Sequence, residues 1–208
     1  MAVAVCAVAT WGCSATEKES PPSGLEGLPD APQDAVFGLS WSYTEDQLLA
    51  ADVIGGDPEP FRGKLGRMYS EAKMPRTFED AEWCALVFND AGEMIRIACV
   101  GKPVKDDPSG KEIRKRYEEL KEIISRKIPI AGVYEDKKNT WQADKDWWAS
   151  LKDGKTHWAT GFRGEVMEAV LEIHAESDTA GAYNLIVDHL PRMQELNKAS
   201  DQTEKSVF

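Results

Sequence analysis

The chain has 208 residues, a formal net charge of −11 and 42% hydrophobic residues, with a sequence pI of about 4.8. That length accommodates one domain, or two small ones sharing a sheet, with enough apolar side chains for a real core. The acidity, and the lack of any Lys/Arg cluster interleaved with aromatics, exclude a nucleic-acid partner, which needs a basic footprint.

The N-terminus opens with MAVAVCAVATWG, small, apolar and uncharged, followed by Cys13. SATEKESPPSGLEGLPDAPQDA comes next, rich in Ser, Pro, Gly and Glu, with no hydrophobic period. Such a stretch has too little apolar surface to offset ordering entropy, so residues 14–34 read as a disordered tether. An apolar segment, then Gly12-Cys13, then a polar tether resembles a bacterial lipoprotein signal. In that family a small residue precedes the cysteine, whose thiol is acylated and which becomes the mature N-terminus. The resemblance implies a signal segment at 1–13, a lipid on Cys13 and a periplasmic, cell-envelope address; an ordinary secretory signal is the alternative. Trp11 and the lack of a basic residue ahead of the apolar run depart from the family pattern. The apolar run falls far short of the roughly 20 residues that span a bilayer, so the membrane is reached through the lipid alone.

Residues 35–191 read as a single α+β domain. Thr44 and Gln47 have capping-box spacing and predict a helix to Ile54, with Leu48, Leu49, Val53 and Ile54 on one side and Gly55-Gly56 as the stop. Lys64–Ser70 reads as a strand. WCALVFNDAGEMIRIACV then predicts a hairpin around Asp90-Ala91-Gly92. With Asn89 facing Met94, Cys84 lies opposite Cys99, Leu86 opposite Ile97 and Phe88 opposite Ile95, all on one face. A bulged three-residue loop would instead shift the pairing and make the cysteines diagonal neighbours. Facing cysteines form a disulfide in an exported protein if the Cα distance permits; otherwise they pack as two buried thiols.

A second helix is predicted over 110–128. Ser109 and Glu112 match the capping box, and Ile113, Tyr117, Leu120, Ile124 and Ile128 form a stripe ended by Pro129. Arg114, Lys115, Arg116 and Lys121 read as its solvated face. After strand material at 130–134, WQADKDWWASLKDG predicts a short helix capped by Asp144 or Asp146 and stopped at Gly154. Strands follow at 156–162, 166–176 and 181–189. Trp158 faces the core and His157 the other side; Met167, Ala169, Leu171 and Ile173 face in, while Glu168, Glu172, His174 and Glu176 face water. Residues 192–208 read as a flexible polar tail after Pro191.

The expected architecture is therefore α+β: a largely antiparallel sheet with two main helices on one face, built from two αβββ units side by side. This element order resembles the small α+β lipoprotein domains of the outer-membrane assembly machinery, and the tandem-repeat secreted β-lactamase inhibitor proteins; no diagnostic motif is shared. No nucleophile elbow, phosphate loop or cofactor fingerprint is present, and His157, His174 and His189 lack metal-ligand spacing. The expectation is a binding protein without catalytic residues, metal or cofactor, whose partner is an envelope protein or peptide. An inhibitor or immunity-type protein that blocks a secreted enzyme is the alternative, with an unrecognised hydrolase third. Trp141, Trp147, Trp148, Trp158 and His157 are the candidate binding residues, because tryptophans anchor interfaces. Against that stands core packing, expected more strongly for Trp147 and Trp158 than for Trp141 and Trp148.

Overall fold

A computed structural model of the chain describes residues 25, 37–62, 65–76, 80–127, 131–138 and 146–205. In chain order the elements are α1 (Glu45–Ala50), β1 (Glu59–Phe61), β2 (Gly66–Tyr69), β3 (Ala81–Asn89), β4 (Met94–Gly101), α2 (Lys111–Lys127), β5 (Gly132–Lys138), α3 (Trp147–Lys152), β6 (His157–Arg163), β7 (Met167–Ala175), β8 (Gly181–His189) and α4 (Leu190–Lys205). The strands form one eight-stranded sheet in the order β1-β2-β3-β4-β8-β7-β6-β5, antiparallel throughout. The fold is α+β.

Each half is a helix followed by a four-strand meander, and the two meanders meet at their last strands, β4 and β8. The expected units were one strand short in the first half. β1 is only three residues long and contains Pro60, which an edge strand tolerates because its outer N–H needs no ladder partner. The signal-like segment 1–13, with Cys13, lies outside the described residues. So does the tether at 14–34, apart from Leu25, which is buried in the main core rather than solvated.

In the β3–β4 hairpin Cys84 faces Cys99 and Leu86 faces Ile97, but Phe88 faces Met94 rather than Ile95. The register shifts between Val87↔Arg96 and Phe88↔Met94, which leaves Ile95 as an extra residue. Such a bulge turns its neighbours by one position. Ile95 consequently leaves the Cys84–Leu86–Phe88 face and packs with Val87 on the other. Asn89 also pairs with Glu93, not Met94: its backbone N–H donates to the Glu93 carbonyl, and its side chain closes the turn. The extra residue shifts the pairing set at the turn by one position, so that beyond it Cys84 faces Cys99, and the two are joined by a disulfide across a Cα separation of 4.1 Å.

α1 carries the Thr44–Gln47 capping box but ends at Ala50. Asp52 adopts a left-handed backbone, and the N–H of Val53 returns to the Leu48 carbonyl, closing the helix before Gly55. Leu49 is therefore 40% exposed, off the apolar side assigned to it, while Leu48, Val53 and Ile54 are buried. The cap of α2 comes from Asp107 rather than Ser109. Its buried carboxylate accepts the backbone N–H groups of Lys111, Glu112 and Ile113 at 3.0–3.1 Å, satisfying three of the helix's orphan donors. Ile113, Tyr117, Leu120 and Ile124 are buried as the stripe requires. The face between them is not simply solvated: the Arg114 guanidinium lies 4.9 Å from the Trp147 ring, and Arg116 and Lys121 pair with Asp80 and Glu135.

The largest correction is at the C-terminus. Residues 190–205 form α4, not a flexible tail. Pro191 stands in its first turn, where a missing N–H costs nothing, so it opens a helix instead of ending the domain. Met193 and Leu196, three apart, are buried against Val87 and Ile95. α1, α2 and α3 contribute to the core on one face of the sheet, and α4 packs on the other.

Candidate binding face on the open side of the sheet

Trp147 and Trp148 are interior and Trp158 is half-buried against them. Trp147 and Trp148 are both 0% exposed, stacked edge to face with ring centroids 4.6 Å apart. The adjacent pair share the interior because glycines make room on two sides. A Cβ at Gly110 would meet the Trp147 ring, and one at Gly181 the Trp148 ring. The Trp148 indole N–H donates to the Asp107 carbonyl, which ties α3 to the cap of α2. Trp158 packs from β6 against this group, with Tyr117 and Trp147 edge-on to it. Trp148, for which core packing was expected less strongly than for Trp147, is thus as buried as its neighbour. Asp146 stands at the N-cap of α3, but its side chain makes no capping bond. Trp141 and Asp144 lie outside the described residues.

His157 takes the opposite face from Trp158 and is exposed, 3.7 Å from the Asp136 carboxylate. The candidate set is thus split by the sheet: Trp147, Trp148 and Trp158 pack beneath it and His157 stands on its outer side. Among the described residues no group of three or more His, Cys, Asp or Glu converges in metal-binding geometry, and no helix is long and apolar enough to cross a membrane.

That outer side is only partly covered. α4 covers it only around Val87, Ile95, Phe61 and Met68. Beyond α4 the ladder aligns Ala85, Ala98, Ile186, Val170 and Gly161 in one cross-strand row, with Tyr134 of β5 at its end. The neighbouring row runs Trp83, Val100, Asn184, Glu172, Ala159 and Asp136. Val100, Ile186 and Val170 are half-buried, whereas Trp83 is 41% and Tyr134 49% exposed. An apolar strip therefore runs across the sheet with an aromatic at each end.

Charge flanks the strip. Tyr134 crosses over Gly161, where any Cβ would strike its ring, and its hydroxyl donates to Glu168 at 2.9 Å. Partial burial and that carboxylate push the Tyr134 phenol up, so it stays a neutral donor. Arg96 and Asp188 form a bidentate pair at 2.6 and 2.8 Å. The Arg96 guanidinium also lies 5.3 Å from the Phe61 ring. Glu172 accepts from the Asn184 amide at 3.4 Å. The strip can thus offer apolar contact to a partner, with carboxylates at its margin for basic groups.

Trp83 and Tyr134 were absent from the sequence-derived candidates. Trp83 had a signal: placing Cys84, Leu86 and Phe88 inward puts Trp83 outward by strand alternation. Tyr134 had none, because its exposure depends on β5 being an edge. No protein-family model, curated protein or solved structure matches this chain.

Proposed function

We propose that this is an exported, lipid-anchored binding protein of the bacterial envelope, which holds another envelope protein or a peptide on the open face of its sheet. The apolar strip from Trp83 to Tyr134 carries the proposal. Contiguous half-exposed apolar surface rimmed by charge is the anatomy of an interaction site. The address rests on Gly12-Cys13 and the polar stretch after it, and the Cys84–Cys99 disulfide supports an oxidising compartment.

Affinity capture from envelope extracts tests the face. Ile186→Glu places a charge mid-strip at a half-buried position and is expected to abolish recovery of the partner while leaving the fold intact. Equal recovery by wild type and Ile186→Glu would remove the open face as the interface. For the address, Cys13→Ser or inhibition of the lipoprotein signal peptidase should leave a longer, unprocessed species. Unchanged mobility and detergent partitioning would remove lipidation. The inhibitor reading uses the same face and is favoured if the captured protein is a secreted enzyme whose activity falls on binding.

A further inference from the structure

Trp83 stands at the rim of a second feature that the strip alone does not explain. The β2 ladder stops at Tyr69↔Leu86, so among the described residues the start of β3 has no strand beside it on that side. Glu71 then takes a left-handed backbone (φ 58°), and the N–H of Ala72 donates to the Cys84 carbonyl at 2.8 Å. This brings residues 71 and 72 back against β3. Between them lies an open cleft of about 380 Å³ lined by Glu71, Ala72, Glu82 and Trp83. A register shift between Ala81↔Gly101 and Trp83↔Val100 makes Glu82 the bulge residue, so Glu82 and Trp83 reach the cleft as consecutive residues.

The cleft combines an exposed indole and two exposed carboxylates, with no basic residue among the described residues that line it. Neither Glu71 nor Glu82 has an ion pair among the described residues. Lys73, the basic residue nearest in sequence to Glu71, is held by Asp52 at 2.5 Å. An aromatic face beside unneutralised carboxylates attracts a cation both through the ring quadrupole and through direct charge. Of the tryptophans in the described residues, Trp83 is the exposed one, so its indole is the ring available to a ligand.

We propose that this cleft is a subsite for a basic side chain, the ammonium of lysine or the guanidinium of arginine, presented by the partner that occupies the open face. The inference rests on that binding reading and names the chemistry of the bound segment: apolar residues over Val100, Ile186 and Val170, with a lysine or arginine at the Trp83 end. The partner's complementarity is then to the acidic character of this chain as well as to its apolar strip.

Titration of ¹⁵N-labelled protein with tetralysine amide, and with a tetra-asparagine peptide of equal length, tests it. Tetralysine is expected to shift the indole N–H signal that disappears in Trp83→Leu, and to lose most of its affinity when salt is raised. Trp83→Leu should weaken binding about tenfold, the loss of one partly desolvated cation–π contact. The double variant Glu71→Gln/Glu82→Gln should weaken it by a similar factor while leaving the indole in place. Because these side chains are exposed, both variants should keep the wild-type melting temperature. If Trp83→Leu fails to fold, the glutamine pair decides. Equal binding of tetralysine to the wild type and the glutamine pair, or equal binding of tetra-asparagine to the wild type, would overturn the subsite. If the subsite fails while Ile186→Glu still abolishes partner capture, the open-face reading survives alone; if Ile186→Glu has no effect either, both fall.

Discussion

The two halves of the sheet are built alike and finished differently. The turn end of the β1–β4 half is covered on both faces, by α1 with the main core on one side and by α4 around Val87 and Ile95 on the other, while its Trp83 end is open. The β5–β8 half is covered by α2 and α3 on the core face, and its other face carries half-buried side chains. The strands record the difference. Cys84-Ala85-Leu86-Val87-Phe88 is buried at five successive positions, while β7 alternates buried and half-buried residues. A strand covered on both sides needs a continuous apolar run, and one covered on a single side needs only every second residue. The doubly covered half holds the disulfide and the half-buried Arg67–Glu45 ion pair; the singly covered half leaves its outer face open.

The sharpest way to break this arrangement is at the shared helical core. Trp148→Ala would empty a fully buried site packed against Trp147 and Gly181. It should cost about 4 kcal/mol, measurable by urea unfolding. Loss of less than about 1 kcal/mol would mean that α3 is not the cover seen here. The same substitution, attractive from sequence as an interface test, would therefore report on folding. Removing the disulfide comes next. The cysteines are 15 residues apart, and the double variant Cys84→Ala/Cys99→Ala should lose about 3 kcal/mol, chiefly by freeing the unfolded chain.

Met193→Ala tests whether α4 completes the first half. It should cost about 2 kcal/mol and raise hydrogen exchange in β3 and β4 while leaving β6 and β7 unchanged. Uniform exchange would show that α4 does not distinguish the halves.

Glu45 gives a pH test of the same half. Its carboxylate accepts from Arg67 at 2.6–3.2 Å and from the Tyr69 hydroxyl at 2.8 Å. The Arg67 bonds outweigh burial and hold Glu45 below the usual carboxylate range, while burial and Glu45 push the Tyr69 phenol up to about 12. A carboxylate with a depressed folded pKa contributes stability above its unfolded value of 4.5, and that contribution is lost as pH falls through the lower folded value. Glu45→Gln should therefore cost about 2 kcal/mol at pH 7 and lose less stability than wild type below pH 4.5. Parallel acid limbs would dismiss the linkage.

The smallest stability effect belongs to the open half. Ile186→Glu should cost about 1 kcal/mol at this half-buried position, and with a wild-type circular dichroism spectrum any loss of partner capture reads as a loss of binding.

Local signals determined most of the elements. The Thr44–Gln47 box, the Ile113–Ile124 stripe, the Cys84–Cys99 pairing and the alternation of β7 depend on neighbours along the chain or one strand away, and all can be read from spacing. The continuous apolar run of β3 even carried the footprint of α4, since Val87 could be buried only if something covered the second face. What covered it was not legible, because Met193 and Leu196 form too small an apolar face to announce a helix without the sheet beneath it. The tryptophan assignments depended on tertiary structure for the same reason. Whether an indole is a ligand platform or a core plug depends on what lies opposite. Gly110 and Gly181, distant in sequence, admit Trp147 and Trp148 to the interior, while the early end of β2 leaves Trp83 beside an open cleft. Short-range periodicity set the strands and helices; the packing of distant segments decided which aromatic side chains remained in water.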